Sequence, residues 1–174
     1  MQFPDKRYRV IYADPAWKFL AGGKKGADQH YDVMSLKDIK ELPVADLAAD
    51  DCALFMWATT PMLPHALEVI EAWGFKYKTV GFTWVKRNKV SDGWFWGLGY
   101  WTRANAELCL IATRGKPKRV SKAVHQVVDA RIEKHSKKPD EVRDRIVRLM
   151  GDVDRIELFA RQRASGWDAW GNEI

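Results

Sequence analysis

The sequence predicts an α/β fold class with a mostly parallel sheet and helices on both faces, and two observations indicate this. Six segments rich in β-forming residues recur along the chain, and most are apolar throughout, as expected for strands that helices cover on both faces. Amphipathic segments lie between them, which is typical of a parallel sheet. The chain has 174 residues, and we expect residues 1–174 to form one domain.

The predicted strands alternate with helices and with two long loops. The strands cover residues 8–14, 52–59, 78–86, 106–115, 125–131 and 155–161. The loop 18–35 is rich in Gly and Lys, and the loop 87–105 sets aromatic residues among glycines. Long loops at strand ends commonly carry binding residues, so we expect both to take part in function.

Three helices are predicted, over residues 35–42, 61–74 and 138–151. Ser35 is a candidate N-cap for the first, and Gly74 suits the C-terminal end of the second. The third has Pro139 in its first turn, where proline is tolerated, and an apolar stripe that ends before Gly151.

Composition and charge narrow the classes of function. The net charge of +6 favours a polyanionic partner, and nine tryptophans, several in Gly-rich surroundings, favour base stacking on nucleic acid. No apolar segment reaches the roughly 18 residues of a membrane span, and the N-terminal segment lacks the apolar core of a signal peptide. We therefore expect a cytoplasmic location and no membrane partner. Cys52 and Cys109 are expected to be buried thiols, and no Cys/His cluster indicates a metal site.

The segment YRVIYADPAW, residues 8–17, ends a strand with an acid, a proline and a tryptophan. Ligands bind beyond the carboxyl ends of strands in open α/β sheets, and Asp14 stands at such an end. Its carboxylate and the carbonyl of Pro15 could accept the two N–H bonds of an amino group while Trp17 stacks on the ring that carries it. An alternative is that Asp14 caps a turn and Trp17 packs under a helix.

Three further sites carry candidate binding residues. Glu157 in a late strand could bond a ribose diol, or it could form a surface pair with Arg161. Lys138 precedes a helix N-terminus and suits a carboxylate or phosphate, or it is a solvated lysine. The basic segment 114–122 could follow a phosphate backbone without reading sequence, or it is a solvated loop.

Eight motifs, in one order across nearly the whole chain, carry a family resemblance. They are ADPAW, YDVMS, LFMWAT, WVKRN, NAELCLIATRGKP, SKKPDEV, RIELFAR and WDAWGNE. The chain resembles the amino-adenine (N-6) methyltransferases of the D-P-P-W group, the MT-A family, which are related to the mRNA adenosine methylase catalytic subunit. It is similar to small phage and bacterial DNA adenine methylases. The resemblance implies a Rossmann-like fold with permuted motif order, which fits the absence of a GxGxxG or P-loop motif.

The resemblance also implies the cofactor, S-adenosyl-L-methionine, and roles for single residues. Asp14, Pro15 and Trp17 match the acceptor motif and are the implied catalytic residues. The implied cofactor-binding residues are Asp14, Lys138, Glu157, Arg161 and Asn172. The predicted substrate-binding residues are Trp17, Tyr31, Lys86, Trp101, Arg114 and Lys116.

The implied activity is methyl transfer to the exocyclic amine of adenine, on a flipped or single-stranded base, with DNA favoured over RNA. A non-catalytic nucleic-acid-binding relative is the alternative from another class. The sequence is compatible with a homodimer but does not fix the oligomeric state. Two positions depart from the family pattern: Ala16 replaces the second proline of the acceptor motif, and Glu173 replaces the glutamine of the last motif. The loss of a proline reduces the rigidity of the backbone after Pro15.

Overall fold

A computed structural model describes residues 2–17, 34–134 and 137–174. Its centre is a seven-stranded sheet in the order β5-β3-β4-β2-β1-β6-β7. The strands are β1 Tyr8–Ala13, β2 Ala48–Ala58, β3 Lys76–Arg87, β4 Glu107–Arg114, β5 Val127–Arg131, β6 Arg155–Leu158 and β7 Asp168–Trp170. Strand β4 is antiparallel to both of its neighbours, and every other pair is parallel. The predicted α/β fold class with a mostly parallel sheet is confirmed.

The helices cover the two faces of this sheet. They are α1 Leu36–Glu41, α2 Val44–Leu47, α3 Leu63–Ala72, which follows a 3-10 turn at Thr60–Met62, and α4 Glu141–Met150. Side chains of alternate strand residues point to opposite faces. Leu54 of β2 therefore packs with Ile39 of α1 and Val69 of α3 in one buried cluster. Its neighbour Phe55 belongs to a second cluster with Ile146 of α4.

All six predicted strands and all three predicted helices are present in the fold. The sequence did not predict β7 or α2, because segments of three and four residues are too short to show a periodic pattern. Strand β7 forms by parallel pairing with β6, a long-range contact. The assignment of residues 1–174 to one domain stays a prediction. Within the described ranges, no helix is both long enough and apolar enough to cross a membrane.

The two long loops differ in what the structure describes. Of the predicted loop 18–35, residues 18–33 lie outside the described residues, and Tyr31 is among them. The loop 87–105 connects β3 to β4, and Trp94 forms a bridge back to Arg87. Because β4 is antiparallel to β3, this connection lies at the edge of the sheet where the parallel strands end.

The packing of β2 generates a stability prediction. Leu54 is fully buried, and Leu54→Ala removes its contacts and leaves a cavity, so we expect the free energy of unfolding to fall by about 2–5 kcal/mol. Leu98 is 86% exposed, and we expect the same change there to cost less than about 0.5 kcal/mol. Urea denaturation of the two variants measures both effects, and equal losses would contradict the assignment of Leu54 to the core.

Candidate active site

The candidate site lies at the edge of the sheet where β1, β2 and β6 end. Asp14 follows the last residue of β1, and Tyr12 of β1 pairs with Glu157 of β6. Residues two apart on a strand share a face, so Tyr12 and Asp14 both point to the side that α4 covers. Lys138 stands at the N-terminal end of α4, on the same side. The parallel strand order therefore brings Asp14, Glu157 and Lys138 together from three distant parts of the chain.

Four charged side chains form a continuous, largely buried network at this edge. The Lys138 ammonium lies 3.1 Å from Asp14 Oδ2 and 3.1 Å from Glu107 Oε2. The other oxygen of Glu107 accepts a hydrogen bond of 2.6 Å from Lys86 Nζ. None of the four side chains is more than 20% exposed. Burial of so many charges is tolerable because the signs alternate along the network.

The network sets the protonation behaviour of its members. Burial raises the pKa of Asp14, the nearby Glu107 carboxylate raises it further, and Lys138 only partly opposes both effects. Burial also disfavours the ionised form of Glu107, but Lys138 and Lys86 outweigh it and lower the pKa of that carboxyl. The pKa of Lys138 is raised because its two carboxylate partners outweigh burial. Glu107 is therefore the firmly ionised carboxylate, and Asp14 is the one that takes up a proton more readily.

A second ion pair holds Glu157. Arg143 of α4 donates to both carboxylate oxygens, at 2.6 Å from Nε and 2.9 Å from Nη2. Arg143 also donates to Asp140 at 2.6 Å. The pKa of Glu157 is nevertheless raised, because burial outweighs the arginine. A carboxylate has about four lone-pair positions, so Glu157 keeps accepting capacity beyond the Arg143 pair.

Members of both ion-pair systems line one cavity of about 220 Å³. Four of the five predicted cofactor-binding residues line it: Asp14, Lys138, Glu157 and Arg161. Asn172 does not line it and is exposed, but its neighbour Glu173 does. Arg161 Nε lies 3.7 Å from Glu173 Oε1 in a partly exposed pair at the cavity wall.

The lining residues suit the chemistry of S-adenosylmethionine. An acid and an ammonium match the zwitterionic methionine end, and a second acid matches a ribose diol. The cavity volume is below the roughly 300–1,000 Å³ of ordinary ligand pockets.

The acceptor motif is only partly open in this structure. The Pro15 carbonyl accepts a 2.8 Å hydrogen bond from the Trp17 amide, which leaves its second lone pair available. The Trp17 indole is 6% exposed, and its Nε1 donates to the Trp57 carbonyl at 3.2 Å. This is the packing alternative that the sequence left open for Trp17. A stacking role for Trp17 stays a prediction.

The other predicted substrate-binding residues do not all lie near Asp14. Lys86 belongs to the charged network, and Trp101 is 99% exposed on the adjacent loop 87–105. Arg114 lies at the far end of β4, where Nη1 donates to the Ala45 carbonyl, and the Lys116 amide donates to Asp51. Because β4 is reversed, both residues lie at the edge of the sheet opposite to Asp14. The structure thus does not bring these two residues into the site, and a backbone contact there stays a prediction.

Sequence reasoning missed three residues of the site. Glu107 stands inside the predicted strand 106–115, where one acid before an apolar run gives no local signal. Arg143 is one of several basic residues on α4, and its position beside the buried stripe residue Val142 was the only hint. Phe159, which lines the cavity, has a φ of 60°. That left-handed conformation is uncommon for a residue other than glycine, and strained backbone of this kind clusters at functional sites.

Comparison with known proteins identifies the family. The MT-A70 family profile matches residues 8–173. The chain belongs to the MT-A70 family. A Mycoplasma protein, "Type II methyltransferase M.MunI", is 36% identical, with 99% of this chain and 80% of that protein covered. An Arabidopsis thaliana protein, "N(6)-adenosine-methyltransferase MT-A70-like", is 29% identical over 96% of this chain. Human "N(6)-adenosine-methyltransferase catalytic subunit METTL3" is 27% identical over 97% of it.

The chain spans about four fifths of the Mycoplasma relative, but only 24% of the Arabidopsis protein and 28% of the human protein. MT-A70 proteins are methyltransferases that use S-adenosylmethionine as methyl donor, so this chain is a methyltransferase with that cofactor. The family resemblance read from the motifs is confirmed.

The charged network generates a pH-dependent stability prediction. Glu107→Gln removes the buried carboxylate that pairs with both Lys138 and Lys86. We therefore expect a loss of about 3 kcal/mol in the free energy of unfolding at pH 7. The pKa of Glu107 is below its ordinary 4.5 in the fold, so its stabilising effect is complete above pH 4.5. The effect disappears as the pH falls through the lowered value.

Urea denaturation at pH 7, 5.5 and 4 measures this difference. Glu133→Gln is the matched control, because Glu133 pairs with Lys137 at 2.7 Å but is 54% exposed. We expect that control to lose less than about 1 kcal/mol. A loss for Glu107→Gln that stays constant down to pH 4 would show that the carboxylate charge is not what stabilises the site.

Proposed function

We propose that the protein transfers a methyl group from S-adenosylmethionine to the exocyclic amine of adenine in DNA. One observation carries the proposal: Asp14 and the Pro15 carbonyl stand at the end of β1, beside a cavity that Lys138, Glu157 and Arg161 line. The site therefore has two adjacent oxygen acceptors for an amino group next to residues suited to a charged nucleoside cofactor.

Asp14 and Pro15 would orient the amine. The adenine amine is a weak nucleophile because its lone pair is delocalised into the ring. Hydrogen bonds from the amine to the Asp14 carboxylate and to the Pro15 carbonyl favour a pyramidal nitrogen and direct its lone pair at the methyl group. Positioning of this kind supplies a large part of a rate enhancement. The Asp14 carboxylate also stabilises the positive charge that develops on nitrogen.

The remaining lining residues would hold the methyl donor. S-adenosylmethionine, when bound, supplies a methyl group activated by a sulfonium. In this proposal Lys138 would hold its carboxylate, Glu157 would accept from the ribose, and Arg161 would contact the nucleoside part. A cofactor contact of Asn172, which does not line the cavity, stays a prediction. Glu107 keeps Lys138 charged and in place while this happens, because its own carboxylate stays ionised.

Two arguments support DNA over RNA as the substrate. The relative named as a type II methyltransferase shares more identity with the chain and is matched over most of its own length. The adenosine methyltransferases are matched over about a quarter of theirs. RNA is the second candidate because these relatives match the same residues. A homodimer and a cytoplasmic location stay predictions.

Transfer of a labelled methyl group tests the proposal directly. The purified chain is incubated with labelled S-adenosylmethionine and with unmethylated duplex DNA, single-stranded DNA or RNA of the same sequence. We expect label on the adenine N6 of DNA, which nucleoside analysis identifies. Label on RNA alone would select the second candidate. Cofactor binding without transfer to any of the three, or nucleic-acid binding without cofactor binding, would favour a non-catalytic relative.

Asp14→Asn tests the acceptor role. The amide side chain keeps the shape but lacks the charge that stabilises the developing cation, so we expect the methylation rate to fall by at least about 100-fold. Asp50→Asn is the matched control, because Asp50 lies near the start of β2 at the opposite edge of the sheet and its side chain is 97% exposed. A wild-type rate for Asp14→Asn would exclude the mechanism proposed above.

The pH profile of kcat/KM tests the coupling between Asp14 and Glu107. We expect activity to fall as the pH drops through the raised pKa of Asp14, because the protonated acid is a poor acceptor. Glu107→Gln removes a carboxylate that raises the pKa of Asp14. Asp14 is then the carboxylate that pairs with Lys138 in this network. We therefore expect the acid limb of the profile to move to lower pH in that variant. Glu133→Gln should leave the limb in place, and an unchanged limb in Glu107→Gln would show that Asp14 does not control it.

A further inference from the structure

The loop between β3 and β4 exposes large apolar side chains beside the site. We call residues 88–105 the aromatic hairpin. Its exposed large apolar side chains are Val90 and Leu98, both at 86%, and four aromatic residues: Trp94 at 39%, Trp96 at 55%, Tyr100 at 64% and Trp101 at 99%. An exposed cluster of this kind marks an interaction surface, because isolated proteins gain nothing from holding aromatic rings in water.

The aromatic hairpin has a defined shape, which its own hydrogen bonds maintain. Asn105 uses both ends of its amide: Oδ1 accepts from the Lys86 amide at 2.8 Å, and Nδ2 donates to the Lys86 carbonyl at 2.9 Å. Arg103 donates to the carbonyls of Gly97 and Trp96 at 2.8 and 2.9 Å. The exposed tip is therefore presented on a fixed base.

A glycine is required at the tip of the aromatic hairpin. Gly99 has a φ of +66°, and a Cβ there would lie 1.9 Å from the Thr102 carbonyl oxygen. Only glycine permits so close an approach of the backbone within this turn. The turn sets Tyr100 and Trp101 outward, where both are mostly exposed.

Charge and position indicate the partner of the aromatic hairpin. Residues 86–105 contain four basic side chains against one acidic side chain. Lys86 and Arg87 pair with Glu107 and Asp129, so Lys89 and Arg103 are the two cations that the hairpin adds beyond these pairs. Lys86, at the base of the hairpin, joins Asp14 through Glu107 and Lys138, so the hairpin begins at the site itself. Aromatic rings set among cations at the edge of an adenine site fit a nucleic acid, whose bases stack and whose phosphates are anionic.

We propose that the aromatic hairpin is a wedge that opens duplex DNA, with the Trp101 indole entering the base stack where the target adenine has left it. This inference rests on the proposed function. An adenine inside a duplex cannot reach Asp14 and must be extruded, which costs unstacking and unpairing. An inserted aromatic ring replaces the lost stacking, and apolar side chains commonly open base steps in this way.

Trp101→Ala, assayed on three substrates, tests the wedge. The substrates share the adenine site that a methylation map of cells expressing the chain identifies: an intact duplex, the single strand, and a duplex with an abasic position opposite the target. We expect the variant to lose about 10- to 100-fold in kcat/KM on the intact duplex, the size of one base–aromatic stacking interaction. The single strand and the abasic duplex should stay within about twofold of wild type, because neither needs full unpairing.

Two further variants make the result specific to aromatic stacking at this position. Trp101→Phe keeps a ring and should retain most of the duplex activity. Tyr77→Ala removes a partly exposed aromatic ring near the start of β3, at the opposite edge of the sheet, and should have no effect. Trp101 is almost fully exposed, so its truncation should leave the urea midpoint unchanged.

A fluorescence assay reports extrusion of the base directly. The fluorescence of 2-aminopurine at the target position should rise when wild type binds the duplex, and it should not rise with Trp101→Ala.

The outcomes distinguish a failure of the wedge from a failure of the proposed function. Absence of methyl transfer by wild type on all three substrates would overturn the proposed function. Three outcomes would overturn the wedge and leave the proposed function in place. They are transfer by wild type to the single strand alone, an equal loss for Trp101→Ala on all substrates, and no loss for Trp101→Ala on the duplex. Sedimentation analysis completes the test: if Trp101→Ala dissociates a dimer and loses activity on every substrate, the aromatic hairpin is an interface between two copies.

Discussion

The ammonium of Lys138, buried between the carboxylates of Asp14 and Glu107, is the interaction on which the site depends. Any one of these charges, buried alone, would carry a desolvation penalty of several kcal/mol. Together with Lys86 they alternate in sign, so each charge compensates its neighbours. The network also fixes the geometry, because it ties the end of β1, the start of β4 and the N-terminal end of α4 to one another.

The same network gives the two carboxylates different tasks. Glu107 is flanked by two ammonium groups and stays ionised, whereas Asp14 pairs with one and takes up a proton more readily. Asp14 is therefore the group whose charge can respond to a ligand, and Glu107 is the fixed counter-charge that keeps Lys138 protonated. In the function that we propose, Asp14 releases Lys138 in part and accepts the substrate amine, and its weaker hold on charge in the network favours that exchange.

The reversal of β4 shapes the whole edge of the sheet. Because this strand is antiparallel to its neighbours, its first residue, Glu107, lies at the carboxyl edge with Asp14. The turn between β3 and β4 lies at that edge for the same reason, which places the aromatic hairpin beside the site. The reversed direction of β4 thus places two features at this edge: the carboxylate that pairs with Lys138 and the surface that we propose for opening DNA. It also carries Arg114 to the opposite edge, away from the chemistry.

The sequence by itself determined the strands, the main helices and the family. It also placed Asp14 at a strand end, Lys138 before a helix and Glu157 within a strand. These properties are local, since apolar periodicity, caps and ordered motifs can be read within a few residues. Only the tertiary structure decided that Glu107 partners Lys138, that Arg143 holds Glu157, that Trp17 packs into the core and that Arg114 lies far from the site. Those relations depend on the order and direction of strands, which long-range pairing fixes and no short segment encodes.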